Sequence, residues 1–527
     1  MTLKKIHIQI LLLWIFLVLL GLCGRSYIPI DETRYVTVAW NMWLNGDYLV
    51  PYLNGVAYSH KPPLLFWLIN IGWEIFGVND WWPRLIPSLF ALASVFITRK
   101  IASKLWPSQT AIKDNASLIL IGSGLWVIYS TTLMFDMLIA FFTALGIWGL
   151  LIALQDKKVT GWFLFTLAIG GGLLAKGPTI LLQLLPVALL APWWSKDKTI
   201  KFKNWYLPLI FSLLGGIAIG LVWAIPAGIH GGSIYQHDIF WGQTAHRMID
   251  SFAHNRPFWW YFAYMPLLFF PWLLWGTFWK SLFNRQAVDM GVRLCFAWII
   301  PVFVAFSFIS GKQVHYLLPL FPAFALLIAR CIENSQTSTR NHIVPISAAI
   351  VATGLIFIAL PHYASTHSNL ASWLQNIPQW LGIFITALGV LLYVLPKPST
   401  AQIVAQLSYF SIAITTITLF VVMHAAGNAY DVRPISAKLK QLESQHIPLA
   451  HSGKYPGIYN FVGRLEQSPA IVKNNIEQWF TANPNGRLIE YFDNEQELGN
   501  RPVEYIQAYK GNFVVIMTHE QWLANPQ

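Results

Sequence analysis

Asp31-Glu32-Thr33-Arg34-Tyr35 and His60-Lys61-Pro62-Pro63 lie in one loop, residues 25–84, between two apolar runs. Charge held beside a bilayer is energetically unfavourable, and where it occurs it usually serves function. Asp31 is placed to cap a helix that begins at Glu32, with both carboxylates favoured by the helix dipole. That helix is expected to run to Asn45 and stop at Gly46. Tyr35, Val36, Ala39, Trp40 and Trp43 make an apolar stripe along it, so it is expected to lie on the membrane surface. A second short helix follows Lys61, opening at Pro62-Pro63 and ending at Gly77; its run from Leu64 to Phe76 is too short to span. The two helices would flank residues 46–60 as a cradle, holding a head group while its lipid tail stays in the bilayer. The plainer alternative makes Asp31 a helix cap and Arg34 its partner.

Outward from this loop the chain is apolar. Its 527 residues are 55% hydrophobic and 11% charged, with 26 Trp, against about 25% charged in a soluble domain. Apolar runs recur, with aromatic pairs such as Trp81-Trp82 and Trp193-Trp194 at their ends. The fold class is therefore an α-helical polytopic membrane protein of about thirteen transmembrane helices. Spans are expected near 6–24, 84–105, 116–133, 137–154, 161–175, 178–194, 205–228, 258–279, 292–309, 315–332, 343–361, 379–396 and 404–424. The first run follows Lys4-Lys5 and reads as a retained span. Basic residues such as Arg99, Lys100, Lys104 and Lys113 fall in alternate loops, which places the N-terminus inside and residues 25–84 outside. The net charge of +12 is accounted for by those loops and does not call for nucleic acid. Cys23, Cys295 and Cys331 sit in or beside apolar runs and suggest neither a disulfide framework nor a Cys-based metal site.

Two domains follow: residues 1–430, the membrane part, and residues 431–527, a small soluble α/β domain on the outer side. In the second, a helix is expected at 434–446 and strands at 447–451, 487–492, 503–508 and 512–517.

Other polar residues fall at the outer ends of the spans. Asp136 either caps the fourth span or faces the same chamber as Asp31. Lys176, in Ala175-Lys176-Gly177-Pro178, either snorkels or meets a phosphate with help from the next helix's amino end. Residues 229–257 hold His230, His237, Asp238, His246, Arg247, Asp250, His254 and Arg256. With no paired histidines and third ligand at metal spacing, they read as a basic lid, Arg247 included. Lys312, His315 and Tyr316 open the tenth span, as phosphate contacts or as interfacial anchors. No P-loop or dinucleotide fingerprint is present, and no Gly-x-Ser-x-Gly elbow. Outer-side chemistry would then need a substrate already activated in the membrane.

The sequence of the first loop, Asp31 to Tyr35, Asn45-Gly46-Asp47-Tyr48-Leu49-Val50-Pro51 and Lys61-Pro62-Pro63, resembles the lipid A aminoarabinose transferases. These belong to the polyprenyl-phosphate-dependent C-type glycosyltransferases, together with the protein O-mannosyltransferases. The likeness is densest over 30–105 and extends loosely through Asp136, Ala175 to Pro178 and His315 to Pro319. It implies the C-type glycosyltransferase fold and transfer of a sugar from undecaprenyl phosphate on the periplasmic side of a bacterial inner membrane. Lipid A, another glycan or a protein would be the acceptor, with membrane lipids as further partners. By the same resemblance Asp31 is the first-loop acid and Asp136 the second. Arg34 and Lys61 are cations near the lipid phosphate, and Tyr35 and Tyr58 line the site. Glu32, Lys176, Arg247, Lys312, His315 and Tyr316 complete the candidate substrate-binding set. The family's enzymes tend to have Glu where this chain has His60, so a divalent metal at His60 stays open and no cofactor is assigned. A polyprenyl-lipid transporter is the competing class; it would place charge at mid-membrane in paired broken helices.

Overall fold

The computed structural model describes residues 3–197, 200–242, 255–283, 288–333, 340–367, 370–396, 399–493, 495–499 and 502–524. Among these, nine helices are long and apolar enough to cross a membrane: Lys5–Cys23, Trp81–Leu105, Asp136–Asp156, Val159–Lys176, Phe202–Gly242, Met290–Phe308, Val314–Glu333, Val344–Thr366 and Thr400–Ala429. Each covers an expected span. The range 116–133 is instead a bent pair, Thr110–Ile121 and Gly124–Ser130, with a 63° angle. At the bend a Cβ on Gly122 would lie 2.6 Å from the Ser408 backbone, so glycine there permits a close helix crossing.

The other three expected spans are shorter or broken. Residues 178–194 give Thr179–Leu189, whose last turn holds Pro186, and then the short helix Ala191–Ser195. Residues 258–279 break into Trp260–Leu268 and Gly276–Leu282 around Pro266 and Pro271. Gln379–Val394 has 16 residues. Proline removes a donor and clashes with the preceding turn, and apolar composition alone does not reveal that. The most enclosed span is Val314–Glu333, 89% buried, whereas Val344–Thr366 is 22% buried and lies at the periphery.

The first loop packs extensively against the rest of the protein. Its helix, Asp31–Asn45, stops at Gly46 with φ +66°, as expected. Residues on more than one face are buried, among them Thr33, Val36, Thr37, Val38 and Trp40. Protein therefore covers part of the polar face as well as the apolar stripe. Helix Leu64–Phe76 packs along one side. The C-terminal region covers the other, with Thr37 Oγ1 donating to Gly457 O (2.7 Å), Trp40 Nε1 to Leu465 O (2.8 Å) and Trp73 stacked on Phe461 (5.0 Å).

That region opens with helix Arg433–Ser444 and builds a five-stranded sheet. The strand order is Ala470–Val472, Leu449–Ser452, Arg487–Phe492, Asn512–Met517 and Tyr505–Tyr509. The first three are mutually parallel and the last two join antiparallel. Ala470–Val472 was not expected from the sequence: three residues on an edge are too few to show alternation.

Candidate functional site

Glu32 organises the neighbourhood without facing it. The residue is 1% exposed. Its carboxylate pairs with Arg25 and accepts from the backbone N–H of Ile28 (2.7 Å) and of Leu133 (2.6 Å). Arg25 Nη2 also donates to Thr131 O (2.8 Å), and Arg84 donates to Arg25 O (2.7 Å) and Leu22 O (3.0 Å). Burial alone would raise the Glu32 carboxyl; the Arg25 charge and these hydrogen bonds overcome it and hold it below the usual range. Glu32 is therefore a staple between the end of the first span, the first loop and the non-helical stretch before Asp136. The expectation that it binds substrate is corrected, since its carboxylate is fully engaged inside the protein.

The staple leaves Asp31 facing outward. Asp31 does not cap its helix: Ile30 holds that position, and Asp31 begins the first turn. Its side chain is 52% exposed and pairs with Arg34, whose guanidinium lies 5.4 Å from the Tyr35 ring centre. Tyr35 is buried edge-on against Phe135 (5.0 Å), and burial raises its phenol well above the ordinary value, so it stays protonated.

Across from Asp31 stands a second group. Asp136 does not cap its helix either, Phe135 being the cap residue. Its Oδ1 accepts from Lys176 Nζ at 2.5 Å, and its Oδ2 lies 4.0 Å from His315 Nε2. Lys176 also sits over the Tyr316 ring (4.7 Å), at the end of a helix closed by Gly177 with φ +72°. His315 is within hydrogen-bond reach of the Tyr129 hydroxyl (3.3 Å). Lys61 lies 5.7 Å from the centre of the Phe135 ring, and His60 lies against Tyr58 (5.1 Å). The two groups are electrostatic neighbours: His315 feels Asp136, Lys176, Lys61 and Asp31, and Tyr129 feels both aspartates.

The structure thus brings together Asp31, Arg34, Tyr35, Lys61, Asp136, Lys176, His315 and Tyr316, with Tyr58 and His60 beside them through Phe66. Two aromatic members escape the sequence reading. Phe135 is the hinge that Tyr35, Phe66 and Lys61 all touch, and Tyr129 is the partner of His315. Their nearness to Asp136 in the chain was the available signal.

Lys312 is corrected. It is 3% exposed and donates to Arg256 O (2.9 Å) and Ile309 O (2.6 Å), fastening a loop to a helix end rather than meeting a phosphate. Arg247, like His246, Asp250 and His254, lies outside the described residues. The described part of that segment rests on the first loop, with Ser59 Oγ donating to Asp238 Oδ2 (3.3 Å) and His230 3.6 Å from Asp47. Among the described residues no three His, Cys, Asp or Glu side chains group as metal ligands.

Acidic and cationic side chains gather at the ends of membrane helices, under a cover of short loop helices, and part of the sequence and the fold are similar to those of known membrane glycosyltransferases of the C-type. Within the class it is similar to the aminoarabinose transferases. The family model described as dolichyl-phosphate-mannose-protein mannosyltransferase matches residues 60–226. The undecaprenyl phosphate-alpha-4-amino-4-deoxy-L-arabinose arabinosyl transferase of Erwinia tasmaniensis is 26% identical over 64% of this chain and 62% of its own length. The like-named protein of Pectobacterium carotovorum is 29% identical over 67% and 66%. The match thus spans under two thirds of both relatives. A Pseudomonas fluorescens protein, arabinosyl transferase 2, is 25% identical over 97% of this chain and 98% of its own. The crystal structure of ArnT from Cupriavidus metallidurans bound to undecaprenyl phosphate superposes over 100% of both chains with a TM-score of 0.78 at 16% identity. That likeness is one of fold.

Proposed function

We propose that this chain is an integral membrane glycosyltransferase that moves an amino sugar, such as 4-amino-4-deoxy-L-arabinose, from undecaprenyl phosphate to lipid A or a related acceptor. The observation that carries the reading is the convergence of Asp31 and Arg34 with Lys61, Asp136, Lys176 and His315. The reaction is an inverting displacement at the anomeric carbon. The bond from that carbon to the phosphate oxygen breaks, its electron pair leaves with the polyprenyl phosphate, and an acceptor oxygen bonds to the carbon. Lys61, Arg34 and Lys176 stabilise the departing phosphate, as preorganised cations do for developing charge. Asp136 holds the Lys176 ammonium in place. An acceptor phosphate is already ionised at neutral pH and needs no base, so Asp31 orients groups in the site, such as the Arg34 guanidinium it pairs with, or balances positive charge on the sugar.

The site faces the periplasm of a bacterial inner membrane, under thirteen crossings and a capping domain of residues 431–527. Contacts between that domain and the first loop support this arrangement, because both must lie on one side. An even number of crossings then separates them, as an odd total provides. Transport is disfavoured by the position of the charges at helix ends, Asp136 at the start of one and Lys176 at the close of another.

The test is mass spectrometry of lipid A from cells with and without the protein. Gain of one amino-sugar mass that depends on the protein supports the reading; an unchanged profile removes lipid A as acceptor. The family model over 60–226 favours one second reading, a protein hydroxyl as acceptor. In that case Asp31 serves as the base, and glycosylated peptides appear in place of modified lipid A.

A further inference from the structure

Helix Trp81–Leu105 begins near the first loop and carries Arg99, Lys100 and Lys104 towards its far end. At 1.5 Å per residue Arg99 lies about 27 Å along the axis from Trp81. Helix Asp136–Leu151 runs the same way, with Trp148 about 18 Å beyond Asp136. At this far end is a cleft of about 680 Å³, lined by Arg99, Lys100, Lys104, Lys113, Phe96 and Trp148 among others.

The charge there is not neutralised within the protein. Asp114 pairs with Arg99 and Asp156 with Lys104, each at 2.5 Å. Among the described residues no carboxylate pairs with Lys100 or Lys113, which leaves two positive charges in the lining. Lys100 stands over the Trp148 ring at 4.4 Å. Basic residues that only set topology need water and a loop. Arg99 has neither: it lies within the helix, 6% exposed, and its Nη2 has no hydrogen-bond partner. A buried donor left in that state calls for an acceptor. With Nη1 on Asp114, Nη2 remains to donate to a phosphate oxygen, and Phe96 and Trp148 offer an apolar wall beside it. Basic pockets between membrane helices are places where anionic lipid head groups settle.

We propose that this cleft is a second anion site, separate from the transferase cluster, which binds the phosphates of a doubly charged lipid head group in the opposite leaflet. Arg99 offers one buried donor through Nη2, Lys100 and Lys113 supply the unbalanced charge, and the aromatic wall meets the glycerol and acyl ends.

The test uses the full-length protein purified into phosphatidylcholine nanodiscs, with cardiolipin added as a probe carrying two phosphates. Native mass spectrometry reads retained cardiolipin, and the melting temperature reads its effect on stability. Wild type is expected to retain cardiolipin and melt higher with it. The Lys100→Gln/Lys113→Gln protein should retain it about tenfold less and lose the rise. Arg99→Gln should do the same; its melting temperature in pure phosphatidylcholine checks that it is folded, and the exposed double variant keeps the test sound if it is not. Equal retention by wild type and the double variant overturns the proposal. So does equal protection by inorganic phosphate at matched concentration, which would assign the cleft to a soluble anion.

Discussion

Adjacent residues with the same chemistry do opposite work in the first loop. Asp31 is half exposed and paired with Arg34, while Glu32 is buried and fully satisfied. Consecutive helical positions point about 100° apart, so one carboxylate meets the site and the other the interior. Asp31→Ala and Lys61→Ala are each expected to cut sugar transfer by about a hundredfold or more, with insertion and melting unchanged. Transfer at the wild-type rate by both proteins would sink the proposed site. Glu32→Ala should behave in the reverse sense: it strands Arg25 in a buried position and lowers stability by about 3–5 kcal/mol. Thermal melts in detergent distinguish the two kinds of loss. Lys312→Gln, which removes bonds to two carbonyls, should likewise lower the melting point while the affinity for donor lipid holds.

At the level of helices and strands, close contacts depend on small residues. A Cβ on Gly72 would fall 1.7 Å from Trp82 Nε1, and the same indole donates to Leu68 O (2.9 Å). Gly72→Val is therefore expected to push helix Leu64–Phe76 off its seat and move Lys61 at its amino end; faster hydrogen exchange over residues 61–76 with reduced transfer would report this. Element type was readable where periodicity or composition was strong. The helix stop at Gly46, the helix Leu64–Phe76 and the strands Arg487–Phe492 and Asn512–Met517 appear where the sequence puts them. The failures have physical causes. Prolines at 186, 266 and 271 shorten expected spans that composition makes look continuous. The cap assigned to Asp31 fails because Asp suits the first helical turn as well as the cap position. The pairing of Asp136 with Lys176 was out of reach, because a contact between residues forty positions apart leaves no local pattern.

Considering the whole molecule, the C-terminal sheet is joined to the first loop by hydrogen bonds, an aromatic stack and the Arg464–Asp80 pair at 3.2 Å. Its own stability should depend on pH through His451, which is 1% exposed beside the rings of Tyr455 (4.8 Å) and Tyr491 (5.4 Å). Burial lowers its pKa to about 4, whereas an unfolded histidine titrates near 6.5. Below about 6.5 the unfolded state binds the extra proton, so stability falls as pH drops from about 6.5 to about 4 and then levels off. The expected loss over that window is of the order of 3 kcal/mol. The hydrogen-exchange protection factors of strand Leu449–Ser452 in the full-length protein, corrected for the intrinsic pH dependence of exchange, should fall across it, and His451→Phe should flatten the profile. An unchanged profile in that variant would exclude His451 as the titrating group.

The seam between Trp40 and Leu465 also bears on biogenesis. A ribosome makes the helices in chain order, so the membrane spans are translated before Leu465. The contact of Trp40 with Leu465 therefore forms only after the spans between them have been made. The hydrogen bond at this seam is thus a late event of folding, made only once the chain between residues 40 and 465 has been delivered.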